Sequence, residues 1–312
     1  MLRFLLAATV ATVCLPGCGA RASSSTAAKE PERELPPDEQ VLALLPDATQ
    51  VVIEVDLARL RANPVIGPTV TRLLSSPQPQ IPGDLEAQLP IAERVVLAAF
   101  GVGSGQAATV TLLVSGATVP GARKISTVGD RGVWALGPPE WVDQLEQRAV
   151  LAEAGVGARL APPKELLALR ARAMPEGAPG AALRVTARLP FDARVSLANV
   201  AGLDPAPAQV SVWGDVVDDL AIVIEADATE TTTAKGKRTE TARLVRGITR
   251  TVQRLALLPQ VRGLGLLPAL EDVKVTPKDA WVRVVFTVGP RLLGRVVERA
   301  GKLLDDAPPD AP

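Results

Sequence analysis

Two pairs of carboxylates stand at a spacing suited to acid–base chemistry. Glu54 and Asp56 lie two residues apart in one stretch of alternating apolar and polar residues, and Glu225 and Asp227 repeat this in another. On a strand such pairs share a face about 6.8 Å apart, inside the separation that inverting glycosidases use between acid and base. That chemistry needs one carboxyl held protonated, usually through burial. A sheet covered on one side only turns its other side to water. The same spacing therefore also describes a solvated sheet face, which is the reading the alternation favours. Residue type closes most other routes. The chain has no His and two Cys, so a Ser-His-Asp triad, a Cys-His pair and a His-ligated zinc are excluded.

Motifs for cofactors and metals fare no better. Gly101-Val102-Gly103-Ser104-Gly105 has the look of a phosphate-binding turn, but a dinucleotide fingerprint runs strand, glycines, helix, and here a second strand follows. Asp215, Asp218 and Asp219 lack the alternate-acid spacing and distal Glu of a calcium loop and read as a hairpin turn. Trp134, Trp141, Trp213 and Trp281 read as core or sheet-edge aromatics rather than a sugar-stacking platform. Neither a cofactor nor a metal is expected.

The other reactive residue is Cys18, at the end of Leu15-Pro16-Gly17-Cys18. Arg3 supplies one positive charge, and Phe4 to Val13 is an apolar run of about ten residues, the length of a signal-peptide core and too short to span a bilayer. Together these resemble the lipobox signal of bacterial lipoprotein precursors. The resemblance implies that the Cys18 thiol receives a diacylglyceryl group, that residues 1–17 are cut away, and that the new amine is acylated. Each buried CH₂ contributes about 0.8 kcal/mol, so two or three acyl chains hold the protein in the membrane essentially permanently. Gly19 follows the Cys. By the enterobacterial sorting rule a residue other than Asp there implies the outer membrane, with the body facing the periplasm. Cys14 leaves with the signal, so the mature fold has neither thiol nor disulfide and must hold by burial. An apolar fraction of 47% makes that feasible.

Residues 18–38 are Ser-, Ala-, Pro- and charge-rich and read as a tether; 305–312 read as a disordered tail. Between them, residues 39–150 predict strands at 50–56, 94–100, 107–115, 123–128 and 132–136. Helices fill 57–74 in broken form, 85–89 briefly, and 139–148 after Pro138-Pro139, where Pro suits a first turn. Residues 151–180 form a connector with a helix through Arg172. Residues 181–304 predict strands at 183–189, 209–214, 220–227, 273–276 and 281–287, a short helix after Pro190, a polar loop over 229–239, and helices at 240–258 and 290–304. Both stretches read strand, helix, hairpin, hairpin, helix. Local text repeats too: Leu136-Gly137-Pro138 and Val288-Gly289-Pro290 each lead a helix, and Ala58-Arg59-Leu60 echoes Ala187-Arg188-Leu189. The expected fold class is α+β: two similar halves, each an antiparallel sheet with helices on one face. This layout behind a lipobox also resembles duplicated-domain lipoproteins of myxobacteria and their relatives, which implies the anchor and the repeated body but no activity.

One surface signal remains. Over 240–258, Arg243, Arg246, Arg250 and Arg254 fall on one helical stripe, opposite Leu244, Ile248, Val252 and Leu255. Over 290–304, Arg291, Arg295, Arg299 and Lys302 fall opposite Leu292, Val296, Val297, Leu303 and Leu304. The precursor balances 34 basic against 34 acidic side chains, which gives no pull toward nucleic acid. The basic surplus nevertheless gathers in 181–304. These stripes read either as solvated outer faces or as a cationic surface for anionic lipid or an acidic envelope protein. The leading expectation is thus a lipid-anchored cell-envelope protein with a non-catalytic binding or structural role. A carrier of a lipid or other apolar ligand comes second, and a carboxylate-only hydrolase third.

Overall fold

Strands form where β-branched and apolar residues alternate or run together. The computed structural model describes residues 35–76, 83–104, 106–153, 162–178, 180–203, 206–228, 230–233 and 236–305. The expected signal peptide, Cys18, most of the expected tether and residues 306–312 lie outside the described residues. The first part holds α1 (Pro37–Ala43), β1 (Val51–Asp56), α2 (Leu57–Ala62), α3 (Gly67–Ser75), α4 (Gly83–Glu86), β2 (Arg94–Phe100), β3 (Ala108–Ser115), β4 (Arg123–Val128), β5 (Arg131–Leu136) and α5 (Pro139–Glu153). Next come α6 (Lys164–Arg172), β6 (Leu183–Arg188), α7 (Phe191–Ala201), β7 (Gln209–Val216), β8 (Leu220–Asp227), β9 (Glu230–Thr233) and β10 (Gly236–Thr239). The chain then forms α8 (Thr241–Leu257), α9 (Pro259–Leu264), α10 (Leu267–Glu271), β11 (Lys274–Lys278), β12 (Trp281–Val288) and α11 (Pro290–Asp305).

Ten of these strands make one antiparallel sheet in the order β11-β12-β8-β7-β6-β1-β2-β3-β5-β4. At its centre β1 pairs with β6, Val51 opposite Ala187, Ile53 opposite Val185 and Val55 opposite Leu183. Outward from that seam one side runs β1-β2-β3-β5-β4 and the other β6-β7-β8-β12-β11.

Successive side chains point to opposite faces of the pleat, and both faces carry core. On one face Val96, Phe100, Leu112 and Val133 pack with Leu42 of α1, Val142 and Leu145 of α5 and Leu166 of α6. On the other, Val95 and Leu113 pack with Leu57 of α2 and Leu74 of α3. Farther along that second face Val282 and Val284 meet Leu244 of α8, while Phe286 and Val288 meet Leu266, Ala269 and Leu293. The expectation of helices on one face is therefore corrected. β2 is apolar on both sides after Arg94, and a strand with no polar side must be covered twice.

Three boundaries also move. Pro37 and Asp38, assigned to the tether, belong to α1. The connector contributes α6, whose Leu166 is part of the first core. The polar loop at 229–239 is instead the β9–β10 hairpin, with Thr233 opposite Gly236; β-branched Thr suits the extended backbone even without an apolar face. Of the text repeats, Leu136-Gly137-Pro138 and Val288-Gly289-Pro290 both join a strand end to a helix start, but Ala58-Arg59-Leu60 lies in α2 whereas Ala187-Arg188 ends β6.

Candidate functional site

The apolar stripe of α8 goes down onto the sheet, so its basic stripe goes out. Leu244 is buried, and Arg243, Arg246, Arg250 and Arg254 are all exposed. On α11 Leu293 is buried, and Arg291, Arg295, Arg299 and Lys302 are exposed. The two helices cover the same sheet face. α9 packs against both, and it comes from the segment 259–264, for which the sequence showed no element. Several of the eight side chains have local tasks. Arg243 lies 3.5 Å from Glu240, and Lys302 lies 2.8 Å from Glu298. Arg254 lies over Gly202, the left-handed C-cap of α7 (φ 67°), and Arg299 over Gly265, the left-handed C-cap of α9 (φ 74°). A positive charge beside a helix C-terminus interacts favourably with the helix dipole. Among the described residues Arg246, Arg250, Arg291 and Arg295 have no ion-pair partner.

The carboxylate pairs are not on a solvated face. Glu54 is 7% exposed and Glu225 1%. α6 lies over this side of the sheet and brings the counter-charges. Arg170 grips Glu54 with Nε to Oε1 at 2.7 Å and Nη2 to Oε2 at 3.0 Å, and its Nη2 also donates to Asp38 Oδ2 at 2.5 Å. Arg172 reaches Glu225 at 3.0 Å and lies 3.7 Å from the centre of the Trp281 ring, while Arg283 meets Glu225 at 3.1 Å. Asp56 Oδ1 accepts the Arg59 N–H at 2.8 Å, capping α2, and Asp56 stands 3.7 Å from Arg94. Burial pushes the Asp38 carboxyl up, but the Arg170 hydrogen bond and charge outweigh it and hold it below its ordinary value. Burial pushes Asp227 up against backbone N–H groups of Gln209 and Ala208. Each pair is thus tied to arginines or backbone, and neither offers a free acid beside a free base.

The other candidates resolve simply. Asp215 is buried and held by Arg59 through Nε at 2.7 Å and Nη2 at 2.6 Å. Among the described residues no group of three or more His, Cys, Asp or Glu could hold a metal. Gly101 and Gly103 shape the turn between β2 and β3 with positive φ. Trp141 stacks on Phe100 at 4.3 Å, and Trp213 donates to the Gly180 carbonyl at 2.7 Å.

A cavity of about 270 Å³ opens on the α1 side of the sheet, lined by Asp38, Glu54, Asp56, Arg59, Arg94, Arg170, Gly180, Ala181 and Arg184. A shallower groove of about 460 Å³ runs between α8, α10 and β11, past Val252, Ala256, Leu270 and Val273. Sequence reading missed the first because its walls come from α1, β1, β2, α6 and β6. The apolar Val52, 1% exposed on the same side of β1 as Glu54, was the available signal that this side is covered.

The molecule is an α+β protein built on one ten-stranded antiparallel sheet, and among its described residues no helix is long and apolar enough to cross a membrane. No family model matches the chain, and no curated protein matches it. Two solved structures show a distant similarity, both of TP0453. Crystal form I is 8% identical, over 83% of this chain and 96% of that one, with a TM-score of 0.39; crystal form III is 6% identical, over 82% and 96%, with a TM-score of 0.42.

Proposed function

We propose that this is a lipid-anchored cell-envelope protein, held in the outer membrane facing the periplasm through Cys18, whose folded body is a non-catalytic module that docks on an anionic lipid surface. The carrying observation is the exposure of all eight basic residues of α8 and α11 on one side of the sheet. A single exposed charge is worth little in salt. A basic residue held near an anionic membrane contributes about 1 kcal/mol, so Arg246, Arg250, Arg291 and Arg295 together supply about 4 kcal/mol. The tether lets that face reach the surface while the acyl chains stay inserted.

The body reads as two halves of similar strand order, although α5 and α11, which follow the last strand of each, cover opposite faces of the sheet. Shared strand order on either side supports this, as does a seam register that places Ile53 opposite Val185. The charged lining of the deeper cavity does not favour an apolar cargo, and the paired carboxylates do not favour a hydrolase.

The test uses a body starting at Leu35, with and without Arg246, Arg250, Arg291 and Arg295 changed to Gln, sedimented with phosphatidylglycerol or phosphatidylcholine vesicles. The unchanged body should bind phosphatidylglycerol in a salt-sensitive way and the variant should not. Equal binding by both would reduce the stripes to solvated faces. Binding by neither would leave an acidic envelope protein as the partner.

A further inference from the structure

We infer that the cavity on the α1 side is a binding site for a small monocarboxylate, gripped between Arg184 and Arg94. The cavity lies on the sheet face opposite the basic stripes, so the inference does not rest on membrane docking.

Four guanidiniums line the cavity, and two are fully engaged. Arg170 serves Glu54 and Asp38, and Arg59 is locked in a two-pronged pair with Asp215. Arg94 has only the 3.7 Å approach to Asp56, whose Oδ1 already caps α2. Arg184 has no carboxylate within ion-pair distance among the described residues; its one hydrogen bond goes to the Met174 sulfur at 3.5 Å. Burial, and then the nearby Arg170 charge, push its pKa below the ordinary arginine value. Arginine keeps its proton in proteins, so that shift marks a positive charge in want of a counter-ion.

The sheet register places the two spare guanidiniums for joint action. Arg184 stands opposite Glu54 on β6, and Arg94 opposite Asp56 on β2. Both are on one face, one strand removed and two residues along, so their Cα atoms lie roughly 12 Å apart. Two long side chains span that gap with an anion between them. The planar N–H fork of arginine matches the two oxygens of a carboxylate. Asp38, Glu54, Asp56 and the Asp215 that engages Arg59 balance the four guanidiniums, so no net positive field holds the anion; the two spare forks must hold it alone, which favours a single negative charge over a dianion. A volume of about 270 Å³ with a charged lining suits a small polar acid rather than an acyl chain.

The purified full chain is titrated with acetate and benzoate, and with inorganic phosphate as the dianion, in chloride-matched buffer, following heat release and melting temperature. Acetate or benzoate should bind saturably and raise the melting temperature. Arg184→Gln and Arg94→Gln should each weaken binding by about tenfold or more, the worth of a lost charged hydrogen-bond pair. Arg184→Lys, which keeps charge and loses the fork, should fall between. Lys274→Gln, at an exposed position of β11 away from the cavity, should bind like the parent. Absence of saturable binding, parent-like binding by Arg184→Gln or Arg184→Lys, or tighter binding of phosphate than of either monocarboxylate would each overturn the assignment.

Discussion

Replacing Arg170 by Met removes one side chain and strands two acids. Arg170 and Glu54 are 9% and 7% exposed, and Arg170 also holds Asp38. Breaking a buried ion pair from one side costs about 3–5 kcal/mol, because a charge remains in a poor solvent. Arg94 and Arg184 line the same cavity and soften that loss, so the expected cost lies near the lower end, about 3 kcal/mol. For a body of this size that lowers the melting temperature by roughly 5 °C. Changing Glu54→Leu in the same protein removes the stranded charge and should restore most of the loss, as paired replacement of buried ions generally does. The pH dependence carries a sign. In the parent, Asp38 sits below its ordinary value of 3.8. Its stabilisation is present above that pH and is lost as pH falls through the lower folded value. In Arg170→Met the guanidinium that chiefly lowered it is gone, and burial then acts against only Arg94 and a backbone hydrogen bond, so the Asp38 carboxyl titrates higher than in the parent. The deficit should be largest near neutral pH and shrink toward about pH 5. Urea unfolding at both pH values measures this. A cost under about 1 kcal/mol, or a deficit that does not change with pH, would mean the triad behaves as a solvated surface pair.

Asn63→Ala should destabilise by about 2–3 kcal/mol in the same assay, because the Asn63 amide donates to the carbonyls of Val216 and Val217 at 3.1 and 2.8 Å while its Oδ1 accepts from Val65 and Ile66. Cys18→Ser should leave an unprocessed or soluble product, read by detergent fractionation; a variant that still partitions with the membrane like the parent would refute the lipid anchor.

The strands were legible because each carries its own local signal. Arg94–Phe100 and Leu220–Asp227 need no distant residue to be recognised. The arginine stripes were legible for the same reason, since helical spacing is a property of one segment. What stayed hidden depends on partners far along the chain. Glu54 meets Arg170 across 116 residues, and Arg59 meets Asp215 across 156. Val52 signals that the Glu54 side of β1 is covered, but nothing near it names α6 as the cover. The fates of Arg254 and Arg299, each over another helix's terminal glycine, were invisible on the same ground. The segments 37–43, 259–264 and 267–271 were missed because five to seven residues hold too little periodicity to separate a helix from a loop.

The seam between β1 and β6 has a consequence for how the chain assembles. Within each set of five strands the pairings join segments no more than about 70 residues apart, whereas β1 and β6 lie about 130 residues apart. Closing so long a loop is the slow step in forming a sheet. Until β6 is made and delivered, β1 presents a bare row of amide and carbonyl groups, an edge that invites pairing with another chain. Any species in which the first five strands form before β6 docks would therefore carry an unprotected inner edge, and the lifetime of such a species, rather than the stability of the finished sheet, would set the chain's exposure to aggregation.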